Sequence, residues 1–168
     1  MNYNINDIVL YGAEGICTVS EIKEQKIGSE VHKYYILKPI FNENSTVMVP
    51  IANKTLTSRM KFLPTVKDLN TALEEVKQDN NIPSDTDAVR KEKFHLALDS
   101  SDITDLLRIT RQIYSEKDKQ EAKGKQLHVA DERMLKESEK ILSDCFAYVL
   151  NLEHHEAVRY IRKSLKQN

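Results

Sequence analysis

The pattern of apolar positions changes character once along the chain. Up to about residue 64 it comes as short runs rich in β-branched and aromatic residues, separated by turn-forming clusters. Ile8-Val9-Leu10-Tyr11 runs into Gly12-Ala13-Glu14-Gly15, and Ile16 to Ile22 is β-branched and partly alternating. Lys26-Ile27-Gly28-Ser29-Glu30 suits a hairpin turn. His32 to Pro39 and Thr46 to Ile51 read as strands on either side of the cluster Asn42-Glu43-Asn44-Ser45. Short strands at close spacing predict a compact barrel of about five strands.

From Pro64 onward the apolar residues recur at helical spacing. Thr65-Val66-Lys67-Asp68 has the form of a capping box, and Val66, Leu69, Leu73 and Val76 fall on one face of the helix that follows. Asp79 to Pro83 stops it. Ser84-Asp85-Thr86-Asp87 is a second capping pattern, with a helix to about Leu98, and Asp102 caps a third carrying Ile103, Leu106, Leu107 and Ile113. Glu116 to Gln126 is charged and poorly periodic, with Gly124 inside it, and reads as a loop or frayed helix end. A strong pattern resumes near Ala130 through Met134, Leu135, Ile141, Leu142, Cys145, Phe146, Val149 and Leu150. After a break at Asn151-Leu152-Glu153, a last amphipathic helix carries Ala157, Val158, Ile161 and Leu165. The prediction is an α+β chain: a small β-barrel over 1–64, then an all-α domain of about five helices over 65–168.

Composition narrows the function classes. The formal net charge is -1 over 168 residues, so any nucleic-acid contact must use a local basic patch. No run approaches the ~20 apolar residues that span a bilayer, which predicts no membrane partner. The first residues lack the basic and apolar regions of a signal peptide, and a cytoplasmic location is expected. Cys17 and Cys145 lie far apart in apolar stretches and no C-x-x-C exists, so two buried thiols are expected rather than a zinc ribbon or a redox dithiol.

No specific enzyme constellation is present. There is no phosphate-binding glycine loop and no G-x-S-x-G. His154-His155 are adjacent, point about 100° apart on a helix, and do not easily chelate one ion; they are expected to be solvated. The chain is therefore expected to be neither an enzyme nor dependent on a cofactor or metal.

The run Thr46-Val47-Met48-Val49-Pro50-Ile51-Ala52-Asn53 resembles the T-[IV]-x-V-P-x-x-N run of the CarD-like family of bacterial transcription regulators, whose N-terminal domain also occurs in transcription-repair coupling factors. Asn6 to Tyr11, the turn ending in Gly15, Ile16 to Ile22, the Ile27-Gly28 hairpin and Tyr34 to Leu37 fit the same pattern in order. Leu98-Asp99-Ser100-Ser101-Asp102 resembles the family's L-x-S-G-D helix break, and Asp131-Glu132-Arg133-Met134-Leu135 its E-[KR]-R-M-L helix.

The resemblance implies a Tudor-like (SH3-like) barrel that docks on the RNA polymerase β subunit by strand pairing, with Gln25, Lys26, Ile27, Val47, Met48 and Val49 at the contact. It also implies a helical domain that reaches promoter DNA with a Trp wedge and basic residues, stabilising the open complex. Arg90 and Lys91 lie near the family's basic positions. The locally basic segment 117–125 adds Lys119, Lys123 and Lys125 as candidate phosphate contacts, and the tail cations Arg159, Arg162, Lys163 and Lys166 are further ones. Departures bear on mechanism. The chain has no Trp, and the wedge position falls at Asp87, whose carboxylate would repel phosphates. Three hypotheses follow: a polymerase-binding regulator that touches promoter DNA, a polymerase-binding module that has lost the wedge, and a homodimer paired through the strand edge.

Overall fold

The computed structural model describes residues 2–166, in two compact units. The fold is α+β. One unit is Met1–Leu63 with Asp99–Ser101; the other is Pro64–Leu98 with Asp102–Asn168. The first holds a five-stranded antiparallel sheet in the order β4-β3-β2-β1-β5, where β1 is Ile8–Tyr11, β2 Ile16–Ile27, β3 Glu30–Pro39, β4 Val47–Pro50 and β5 Met60–Phe62. A short helix α1 (Lys54–Ser58) joins β4 to β5; its N-cap Asn53 accepts from the Leu56 N–H at 3.1 Å. The sequence pattern did not single out α1, and β5 is the strand it left unplaced.

Alternation builds the core of this unit. Val9 opposes Cys17, Val19 opposes Leu37 and Tyr35 opposes Val49, and all six are buried with Tyr3 and Met60. The Tyr3 hydroxyl donates to the Met60 carbonyl, which pins the N-terminal segment to β5. Within the same unit Arg59 forms a two-pronged ion pair with Asp99, and the Gly12 N–H donates to Ser101 Oγ at 2.8 Å.

The β2 strand is longer than its hydropathy predicts. A bulge between Val19 and Glu21 resets the alternation, and β2 continues beside β3 as a two-stranded arm to Ile27. Ile27 opposes Glu30 across the two-residue turn Gly28-Ser29, in which Gly28 has φ 62. A positive φ at the first position alone is the type II′ hairpin turn, which favours Gly there. No atom crowds a Cβ at Gly28, so Gly28→Ala tests backbone strain alone. It is expected to cost the arm about 1–2 kcal/mol, read as a roughly tenfold rise in amide exchange at Lys26 and Val31.

The second unit holds α2 (Val66–Gln78), all but the last two residues of α3 (Asp87–Ser100), α4 (Ile103–Ala122), α5 (Val129–Leu150) and α6 (His154–Lys166). The expected caps form. Thr65 and Asp68 make a reciprocal capping box, and Asp102 accepts from the Thr104 and Asp105 N–H groups. Leu69, Leu73 and Val76 are buried as expected, but Val66, in the first turn, is exposed. The charged segment after Glu116 is helix rather than loop as far as Ala122. Gly124 (φ 67) ends it in a Schellman motif, with the Lys125 N–H bonded to the Gln120 carbonyl and the Gly124 N–H to that of Glu121, both at 2.9 Å.

Candidate functional site

An edge strand is defined by which backbone groups it leaves unpaired. Among the described residues β4 pairs only with β3, in the register Ile36↔Met48 and Tyr35↔Val49. The Ile51 N–H donates to the Lys33 carbonyl at 2.9 Å, so 33 and 51 are a hydrogen-bonded pair. Counting back along an antiparallel ladder, Val49 and Val47 bond to β3, while the N–H and C=O of Met48 point away from the sheet. The Pro50 carbonyl is taken by the Asn53 N–H at 3.0 Å, which closes that end of the edge. Side chains alternate independently. Val49 is fully buried in the core, Val47 half-buried against it, and Met48 is 43% exposed on the outer face. Of the three β4 residues expected at a contact, Met48 therefore offers both backbone and side chain, while Val47 and Val49 hold the strand in place.

Gln25, Lys26 and Ile27 lie at the end of the arm, opposite His32, Val31 and Glu30. The β1 ladder reaches only Thr18, so among the described residues the outer side of β2 has no strand partner along the arm. Ile27 is 53% exposed and Val31 59%. By alternation Gln25 and Ile27 share the outer face of the sheet with Met48, and Lys26 faces the other way with Val31. Met48 opposes Ile36 and Ile27 opposes Glu30, about 20 Å apart along β3. The structure thus places Gln25, Ile27 and Met48 on one elongated face rather than in one cluster. Charges line the arm, with Lys33 paired to Glu24 at 2.9 Å, a usual guard on an unpaired edge.

In the helical unit the expected cations separate. Arg90, expected to face phosphates, is buried instead: its guanidinium forks onto Asp131, with Nε donating to Oδ1 at 3.0 Å, and also bonds Asp87 and the Asp85 carbonyl. A salt-bridged guanidinium inside the unit is not available to DNA. Asp87, at the wedge position, is the first residue of α3; the His128 hydrogen bond beside it, then Arg90, holds its carboxyl below the usual carboxylate range. Lys91 is exposed on α3. Lys119 is exposed in the last turn of α4, and Lys123 and Lys125 in the cap that follows.

His154 is not simply solvated. Its Nε2 lies 2.8 Å from Ser143 Oγ and 2.9 Å from Asp144 Oδ1. Both partners meet the same ring nitrogen, whereas a nucleophilic triad needs one partner on each, and Ser143 is buried. Burial pushes the Cys17 and Cys145 thiols up to about 12, as suits packing residues rather than nucleophiles. Among the described residues no group of His, Cys, Asp and Glu has the geometry to hold a metal, and no helix is long and apolar enough to cross a membrane.

Compared with protein families, residues 3–61 match the model described as the CarD-like/TRCF RID domain. A search of curated proteins returns no match.

Proposed function

With residues 3–61 forming a CarD-like/TRCF RID domain, an RNA-polymerase-interacting module of the CarD-like family, we propose that this chain is a non-catalytic bacterial transcription regulator that docks on the polymerase β subunit through its β4 edge and modulates promoter opening through its helical unit. The observation that carries the docking is the outward N–H and C=O of Met48 on an edge strand inside this domain. An extended strand of the partner continues the sheet there: main-chain hydrogen bonds supply affinity, and alternate side chains supply selectivity. Met48 adds a flexible apolar contact suited to an interface, and Gln25 and Ile27 extend the same face along the arm.

At the promoter, Asp87 favours a mechanism without a wedge. A carboxylate tied to His128 and Arg90 does not enter a base step, so the helical unit acts through charge on the sugar–phosphate backbone, from Lys91, Lys119, Lys123 and Lys125. The alternative that shares this observation is a module that binds polymerase and recruits or blocks other factors without touching DNA. Salt-dependent binding to a forked promoter fragment separates the two.

The docking test is binding of the intact chain to the isolated β-lobe of its host's polymerase. Met48→Glu, which puts a charge beside the new strand, is expected to weaken binding by about 1–3 kcal/mol. A folded wild-type chain that does not bind the lobe overturns the proposal and leaves pairing with a second copy through the same edge as the next reading, which sedimentation at several concentrations would detect.

A further inference from the structure

The solvent face of α6 is almost entirely cationic. Ala157, Ile161, Ser164 and Leu165 are buried, which fixes the opposite side as the outward one. At about 100° per residue, His155, Arg159, Arg162, Lys163 and Lys166 all fall within about 100° of one another on that outward side. They run along about 16 Å of helix, at 1.5 Å per residue. The five line one open surface with Val158.

Two of the cations are anchored. Arg162 forks onto Glu139 at 2.7 and 2.9 Å, and Glu139 also accepts from the Tyr114 hydroxyl. Burial pushes the Glu139 carboxyl up, but the Arg162 and Tyr114 hydrogen bonds outweigh it and hold the group ionised, below the ordinary carboxylate range. Lys166 reaches Asp118 at 3.2 Å. Arg159 and Lys163 have no ion-pair partner among the described residues. The one acid at the margin, Glu156, is turned back onto the Glu153 N–H at 3.0 Å.

The C-terminal end of the stripe lies beside α4. Arg162 and Tyr114 share Glu139, and four residues on Lys166 meets Asp118. α6 and α4 therefore run in the same direction with their C-terminal ends together. Lys119 follows Asp118, and Lys123 and Lys125 lie in the cap at that end of the unit.

We infer that this stripe, from Arg159 along α6 to the lysines at the end of α4, is a contact surface for the sugar–phosphate backbone of duplex DNA. The inference rests on the promoter reading above and deepens it by locating the main phosphate contact on α6 rather than at the start of α3. A line of cations over several turns matches a repeating anion better than a single ligand. Ala157, Ile161 and Leu165 are used in the core, and Val158 is the one apolar side chain among the cations, so this face lacks the apolar stripe that inserts into a lipid layer. The free guanidinium of Arg159 can engage phosphate with two parallel hydrogen bonds.

The test uses the full chain, a labelled duplex of arbitrary sequence, and anisotropy across a salt series. Arg159→Gln with Lys163→Gln removes two charges that have no ion-pair partner, so the helix is expected to keep its circular dichroism and melting temperature. The slope of log affinity against log salt should fall by about 1.8, or 0.9 per lost contact, with at least a tenfold loss of affinity at low salt. Binding of the same double variant to the polymerase β-lobe should be unchanged. A wild-type salt slope that survives the substitution overturns the stripe. So does binding to phosphatidylserine vesicles with none to DNA. If the β-lobe is bound and DNA is not, the stripe fails while polymerase docking stands; if the stripe binds DNA and the β-lobe is not bound, the docking fails and the stripe stands.

Discussion

Asp131→Ala is expected to cost the helical unit on the order of 3–5 kcal/mol, because it leaves the buried Arg90 guanidinium without its carboxylate. Both side chains are almost fully shielded from water, Arg90 at 4% and Asp131 at 1% exposure. The fork between them joins the first turn of α3 to the first turn of α5, where a carboxylate also meets the positive end of the helix dipole. Asp87 and the Asp85 carbonyl remain as partners, but Asp87 is half-exposed and shared with His128. The measurement is the urea midpoint of the helical unit. Asp131→Asn keeps the volume and one acceptor and should fall between wild type and Ala. The double change Arg90→Met with Asp131→Leu removes both charges and should recover most of the loss, since a well-packed apolar pair often equals a buried ion pair. A loss under about 1 kcal/mol for Asp131→Ala, within the range of an exposed ion pair, would refute the buried geometry.

The same pair marks where sequence reading stops. Arg90 sits in a run of charged residues, Arg90-Lys91-Glu92-Lys93, that looks like a solvated face. Its partner lies 41 residues away, and no local pattern announces a contact at that range. The caps at Thr65 and Asp102 were legible because a cap is a local bond between a side chain and a backbone N–H within one turn. The core of the sheet unit was legible for a similar reason: Val9, Cys17, Val19, Tyr35, Leu37 and Val49 all sit in the apolar runs.

Two errors of extent have a common cause. The second half of β2, Glu21 to Ile27, is exposed on both faces, so burial imposes no alternation on it; pairing with β3 makes it a strand. The end of α4 is charged all round and carries no apolar stripe, yet its residues are good helix formers and nothing stops the helix before Gly124. Hydropathy reports which face is buried, and these segments bury little. The edge status of β4 was legible only through the family resemblance, because an edge is a property of strand order. The α6 stripe was visible as a run of cations, but that its end lies beside the end of α4 follows only from the parallel packing of the two helices.

Met48→Pro is expected to leave the sheet unit folded and weaken polymerase binding by roughly 10- to 100-fold, about 1.4–2.8 kcal/mol. Proline removes one N–H and fixes φ, and within a sheet it is tolerated where that N–H faces away from the ladder. Met48 is such a position: its neighbours bond to β3, and its own N–H points outward. The residue before it, Val47, is already extended, as a pre-proline residue must be. Binding should nevertheless suffer, because an added strand loses a backbone donor and meets the pyrrolidine ring. Val49→Pro, one residue on, should do the opposite. By the same alternation the Val49 N–H bonds β3, and its side chain is fully buried, so this variant should unfold the sheet unit. Circular dichroism and a β-lobe binding titration on the two variants separate the roles. A folded Met48→Pro that binds as tightly as wild type would move the docking surface off the β4 edge. A folded Val49→Pro would mean that the ladder runs in the other phase, with Val47 and Val49 presenting the free groups. Loss of binding in a folded Met48→Pro, together with unfolding in Val49→Pro, ties recognition to the backbone of one residue on one strand.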